Sequence, residues 1–206
     1  MVRSSYKGVP RRIIRDIIET TILSLFIFVC MHFSIQNYQV VGDSMFPSLE
    51  AGNCLLANKL VYKHIDKQKY ALLWTNSNTG LIYPFDSPKT GDIVVFRYPR
   101  DPSRHFVKRI IGTPGDRVQM KKGSNKVYVN GIELDGKYLS PVPFKSTYDS
   151  GLIGDGGYYV LGDNRAVSND SRTWGLISHN DIIGKYWFRY WDGLCTLAPL
   201  RHGNLR

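Results

Sequence analysis

The chain has 206 residues, 43% of them hydrophobic, and a formal net charge of +10. That length holds one domain with a real core plus a short accessory segment, and it excludes two large domains. The positive excess alone admits nucleic acid, an anionic membrane surface or a solvated basic face as its partner. Position narrows this. Arg3, Lys7, Arg11, Arg12 and Arg15 crowd ahead of an apolar run, whereas the other basic residues are scattered.

That run, residues 17–35 (IIETTILSLFIFVCMHFSI), has roughly the length of about 20 residues that a helix needs to cross a bilayer. Asp16 and Glu19 sit at its start and leave the strongly apolar part to Ile22 onward. A removable signal peptide and a buried amphipathic helix are the competing readings. Met31, His32 and Phe33 are bulky where a cleavable segment would end in small residues, so an uncleaved transmembrane anchor over 17–37 is expected. The preceding basic residues assign 1–16 to the cytoplasm and 38–206 to the far side.

Beyond residue 38, β-branched and aromatic runs separated by Gly, Pro, Asn and Asp clusters predict a mainly β domain. The predicted strands are 39–41, 54–58, 92–97, 106–111, 117–121, 126–129, 132–134, 158–161 and 183–190. Asn130-Gly131 within KVYVNGIEL predicts a two-residue hairpin turn. Two mixed stretches, near 63–90 and 136–157, read as long surface excursions on the same domain.

Of the three cysteines, Cys30 falls in the anchor. Cys54 and Cys195 lie in apolar surroundings; an exported domain is able to join them, but buried free thiols are the expectation. The five histidines are dispersed, so neither a metal-ligand spacing nor a Ser-His-Asp set emerges.

A serine nucleophile at Ser44, in QVVGDSMFPSL, needs another base. RHFVKRIIGTPGDRV offers Lys108, which strand alternation places on one face with Phe106 and Ile110, opposite Val107, Arg109 and Ile111. A lysine desolvated there has a depressed pKa and can take a proton from a serine. Alternatively, its stem snorkels and the head reaches water. A third segment, YYVLGDNRAVSNDSRTWG, ends in a turn dense with polar groups, which by itself suits a braced loop equally well.

Taken in order and spacing, GDSMFPSL, GDIVVFRYPRDP, FVKRIIGTPGD and GDNRAVSNDSRTWG resemble the signature boxes of the type I signal peptidases. Those are membrane-bound serine endopeptidases with a Ser/Lys dyad. The resemblance covers nearly all of the chain outside the two excursions. It implies a signal-peptidase/SOS-repressor-like fold of coiled antiparallel sheets behind one N-terminal transmembrane helix. It further implies that Ser44 is the nucleophile, Lys108 the neutral general base, and Ser168 the hydroxyl that orients it. Asp163, Asn164, Arg165, Asp170 and Arg172 match the family's supporting network.

By the same resemblance the Ser44 backbone N–H is one oxyanion donor. Gly42 stands where some relatives carry a second, hydroxyl donor, and leaves that donor open to a backbone N–H or water. Substrate would add as a strand, with small residues at −1 and −3 in pockets. Tyr38, Val40, Met45, Phe106 and Val107 are the candidates for the pocket wall, and each also suits an ordinary core position. The implied partners are secreted preproteins, membrane lipid and a nearby secretion translocon, with no nucleic acid, cofactor or metal. Lysine rather than histidine as base points to a bacterial or organellar-type enzyme, and the short basic N-terminus favours the bacterial one. Self-cleaving SOS repressors share the fold but carry a DNA-binding segment where this chain has an apolar run. A non-catalytic, membrane-tethered binding module would leave Ser44, Lys108 and Ser168 coincidental.

Overall fold

The computed structural model describes residues 11–66, 81–134, 142–190 and 203–205. Two compact units divide between Ser34 and Ile35. The first contains one helix, α1 (Arg11–Ser34), whose 24 residues give a length of about 36 Å. None of its residues is buried. Ile22, Phe26, Phe28 and Phe33 are 62–67% exposed. Among the described residues no helix qualifies as long and apolar enough to cross a membrane, so the expected span is not confirmed.

The helix bounds also differ from the expected 17–37. Residues Ile35, Gln36 and Asn37 leave the helix and pair with Asn58, Ala57 and Leu56. A strand ladder satisfies their backbone groups there, and β-branched Ile35 suits an extended conformation.

The second unit is mainly β. In chain order it contains β1 (Ile35–Val40), β2 (Cys54–Asn58), β3 (Ile65–Asp66), β4 (Leu81–Ile82), β5 (Ile93–Tyr98), β6 (Asp101–Gly112) and β7 (Arg117–Met120). There follow β8 (Val127–Val129), β9 (Ile132–Glu133), β10 (Tyr148–Leu152), β11 (Gly157–Leu161), a single helical turn α2 (Ser171–Trp174), β12 (Ile177–Ser178), β13 (Ile182–Tyr190) and β14 (Gly203–Leu205). Eight strands form one sheet in the order β12-β11-β6-β14-β1-β2-β13-β5, and β5 pairs back onto β6. That pairing closes a barrel from β6, β14, β1, β2, β13 and β5, with β11 and β12 continuing from β6. A second sheet runs β10-β7-β8-β9, and β3 pairs with β4.

Alternation along β5 and β6 feeds two cores at once. Val95 and Val107 join Tyr38, Val40, Met45, Leu49, Leu55 and Ala57 in one cluster. Val94, Phe96, Phe106 and Ile110 pack with Tyr158, Val160 and Ile177 in another. A third cluster, including Ile111, Val118, Met120, Phe144 and Tyr159, ties the second sheet to β6 and β11. Burial on both faces is what makes the middle of β6 dry.

The expected strands are present, with shifted ends. β6 is longer than 106–111 because its polar first part still pairs with β5, as Arg97↔His105 and Tyr98↔Asp101. The stretch near 63–90 holds the short β3–β4 ladder, and the rest of it lies outside the described residues apart from its flanks. The stretch near 136–157 is not all excursion. Its β10 pairs with β7, and the Arg117–Asp149 ion pair at 2.6 Å supports that pairing. The sequence YDSGL has no apolar alternation to announce a strand. Cys54 is disulfide-bonded, which corrects the free thiol expected there; an oxidised cysteine suits a domain outside the reducing cytosol. Cys195 lies outside the described residues, and Cys30 is free.

The hairpin turn is as expected: Val129 pairs with Ile132, and Asn130 and Gly131 take φ of 54° and 79°. A side chain at Gly131 is strained in that region. Gly131→Val is therefore expected to lower the unfolding free energy by about 1–2 kcal/mol, read as a lower urea midpoint at unchanged m-value.

Candidate active site

Ser44 lies in the turn that follows β1. Met45 and Leu49 are fully buried in the cluster that also holds Val107, and the Leu49 N–H donates to Met45 O at 2.9 Å. These apolar anchors pull the turn down against β6. Lys108, in the middle of β6, is only 1% exposed. Its Nζ lies 2.7 Å from Ser44 Oγ and donates to Val107 O at 2.9 Å. It also stands 5.2 Å from the Phe106 ring centroid.

Burial pushes the Lys108 amine down to about 8, while Asp170 and Asp163 pull the other way without prevailing. Their influence is tempered because each carboxylate holds an arginine. Arg109 grips Asp163 with two bonds of 2.8 and 2.7 Å. Arg172 grips Asp170 with bonds of 2.8 and 2.9 Å. A buried ammonium without a dedicated counter-ion is the condition under which lysine gives up its proton.

Residues 162–172 form the other wall. The Asn164 N–H donates to Ser44 O at 3.0 Å and so fixes the carbonyl of the serine itself. Asp170, fully buried, accepts from Gly162 N at 3.1 Å, and Arg165 Nε donates to Gly162 O at 2.8 Å. Arg172 Nη2 donates to the carbonyls of Arg165 and Ser168 at 2.9 and 3.2 Å. A Cβ on Gly162 would collide with both Ser168 Oγ and the Ser44 carbonyl, so only glycine fits where this loop crosses behind the serine. Burial lowers Arg165 to about 10, leaving it cationic at neutral pH.

Ser44 and Lys108 are thus brought into hydrogen-bond contact, and Asp163, Asn164, Arg165, Asp170 and Arg172 form one connected lattice around them. Ser168 lies beside the pair, but its hydroxyl is buried without a hydrogen-bond partner, so the expected bond to the lysine amine is not made. The five residues expected to wall the substrate pocket are all buried, and the structure brings four of them together but not the fifth. Tyr38, Val40, Met45 and Val107 share one core cluster, whereas Phe106 faces the other because side chains alternate along β6.

Sequence reasoning missed the contributions of Arg109, Ser48, Gly162 and Ser171. Arg109 was placed on the face opposite Lys108, but its pairing with Asp163, and with Ser48 Oγ at 3.1 Å, needed the fold. Gly162 gave no signal beyond its place in a turn-rich motif. Ser171 Oγ accepts from Val160 N at 2.9 Å and supports β11 behind the loop.

A serine contacting a buried lysine, backed by a hydrogen-bonded polar loop, is suited to nucleophilic acyl transfer. Residues 13–191 match the family described as "Signal peptidase, peptidase S26". The chain belongs to this family. Among its relatives, the signal peptidase I of Bacillus caldolyticus is 39% identical over 173 residues, covering 77% of this chain and 81% of that protein. The signal peptidase IB of Staphylococcus aureus (strain COL) is 32% identical over 199 residues, covering 88% and 91% respectively. A crystal structure of a signal peptidase I from Enterococcus faecalis is 29% identical and spans 48% of this chain and 97% of its own, with a TM-score of 0.43.

For this peptidase family member the dryness of Lys108 has a stability signature. Its folded pKa of about 8 lies below the usual 10.5, so between those values the unfolded chain binds more protons and stability rises with pH. Below that window the full cost of the buried charge is present. Lys108→Met removes the cost, so the variant is expected to gain on wild type as pH falls from 10.5 to below 8. The gain is on the order of 3 kcal/mol, measured by urea unfolding at each pH. A stability difference that stays flat with pH would show that the amine is solvated.

Proposed function

We propose that this protein is a signal peptidase that removes N-terminal signal peptides from exported preproteins, with Ser44 as nucleophile and Lys108 as general base. The observation that carries this reading is the 2.7 Å contact between Ser44 Oγ and a lysine amine that burial holds down to about 8. With the amine neutral, the Ser44 hydroxyl donates its proton to Nζ as Oγ attacks the scissile carbonyl. Lys108 then passes that proton to the leaving amine. The resulting acyl-enzyme is hydrolysed by a water that Lys108 deprotonates in turn.

The oxyanion falls to the Ser44 N–H, which has no hydrogen-bond partner among the described residues. A Cβ built on Gly42 meets nothing within 4 Å, which leaves room for a water as the second donor. Ser168 serves the amine once substrate arrives. Its unpaired hydroxyl supports this, because a buried polar group without a partner is held there at a cost. Substrate adds as an extended strand beside β1 with small residues at −1 and −3, over a floor that includes Tyr38, Val40, Met45 and Val107.

The purified protein is expected to cleave a preprotein after a small-x-small site. Ser44→Ala and Lys108→Ala should each lose roughly four orders of magnitude or more in kcat while keeping wild-type circular dichroism. Near-wild-type turnover in either variant would refute the mechanism. For wild type, kcat/KM should fall as pH drops through about 8, because protonated Lys108 cannot act as base. In Ser168→Ala that inflection should move, whereas a merely structural serine would change the height of the profile and not its position.

The chain is further proposed to be held at the bacterial cell membrane by α1, with residues 1–16 cytoplasmic and the β unit outside. Support comes from the apolar side chains that α1 exposes along its length and from the basic cluster ahead of them. The full chain is expected to float with liposomes and to stay with them in 1 M salt, roughly the strength at which electrostatic adhesion is screened out. Release by that salt would reduce α1 to a surface contact.

A further inference from the structure

Nearly every pairing in the barrel is antiparallel; the two made by β14 are parallel. Gly203, Asn204 and Leu205 stand opposite Tyr38, Gln39 and Val40 of β1, and Leu205 also stands opposite His105 of β6. On the β14 side of the barrel β1 and β6 do not pair with each other. Without β14 they would be two facing open edges. These two strands also position the serine–lysine pair: β1 ends at Val40, just ahead of the Ser44 turn, and Lys108 follows His105 on β6.

Direction is the informative part. Because β14 runs parallel to β1, its C-terminal end advances toward Ser44. A signal peptide precedes its scissile bond, so the acyl portion of a preprotein must approach Ser44 with the same polarity. β14 therefore lies between the strand that leads into the serine's turn and the strand that bears the lysine, in the direction a substrate would take. Its sequence differs from a substrate's in one respect: Gly203, Asn204, Leu205 and Arg206 contain no two small residues spaced two apart.

We propose that the 203–205 segment is an internal pseudosubstrate, a strand of the protein's own chain that fills the acceptor gap between β1 and β6 and must be displaced before a preprotein can bind. The proposal rests on the peptidase reading above. An occupant on the same chain competes at an effective concentration set by its tether, commonly in the millimolar range, so even a three-residue ladder raises the apparent KM. It leaves kcat untouched, because a bound substrate has already expelled it.

Asn204→Pro/Leu205→Pro in the full chain removes two ladder N–H groups and tests this directly. KM for a preprotein is expected to fall at least about threefold at unchanged kcat. A synthetic peptide APLRHGNLR should restore the higher KM competitively. An unchanged KM in a folded variant, or a fall in kcat together with Tm, would make β14 an ordinary structural stave and overturn the proposal. A second measurement requires neither cleavage nor the prolines. In full-length Ser44→Ala, a saturating signal peptide should speed amide hydrogen exchange at residues 203–205, and unchanged or slower exchange would equally overturn it. If wild type fails to cleave any preprotein, the peptidase reading falls, and the exchange experiment still decides whether β14 yields to an extended peptide.

Discussion

The structure depends on keeping one amine dry. Lysine is a poor base in water because nearly all of it is protonated at neutral pH, and only desolvation large enough to outweigh neighbouring carboxylates reverses that preference. For the proposed role of Lys108 the requirement falls on a strand that is buried on both faces. β6 sends Val107 into one core cluster and Phe106 and Ile110 into another, so the lysine between them is left almost wholly buried. A barrel with one solvated face would let the side chain snorkel, and the contact with Ser44 would then join a serine to an ammonium.

The carboxylates near that amine sharpen the same constraint. Asp163 and Asp170 are close enough to favour the protonated lysine, yet neither forms an ion pair with it. Each is occupied by its own arginine, with the side chains of Arg172 and Asp170 12% and 0% exposed. The arginines thus have an electrostatic duty as well as a structural one. Losing either would leave a buried anion near the amine and draw the lysine back toward its charged form, besides the direct cost of an uncompensated charge.

What the sequence revealed of this arrangement follows from which interactions are local. Alternation alone placed Lys108 among apolar neighbours, and Asn130-Gly131 declared its hairpin, because both are properties of a few consecutive residues. The supporting residues at 163–172 were recognisable as a motif, but the pairing of Asp163 with Arg109 and the tight crossing at Gly162 depend on segments distant in the chain. β10 and β14 escaped notice for a related reason: short polar strands take their conformation from the edge they join, and neither YDSGL nor GNL carries an apolar period. The end of α1 was misjudged because Ile35 continues the apolar run in composition while its backbone has already entered a sheet. Ser168 crowds Gly162 together with the Ser44 carbonyl, but the direction of its hydroxyl is a rotamer choice that no sequence pattern encodes.

The hold on the Ser44 carbonyl bears on when the proposed serine–lysine pair first assembles. The serine and its lysine are 64 residues apart in the chain, and the backbone amide that clamps the serine belongs to Asn164, far beyond both. No early fragment of the polypeptide contains all three, and β6 is not dry until the strands on either side have closed over it. In a cooperative domain the pieces arrive together or not at all. On the proposed roles of Ser44 and Lys108, a chain still emerging from synthesis, or one partly melted, lacks the assembled pair, and cutting power comes only with the complete fold.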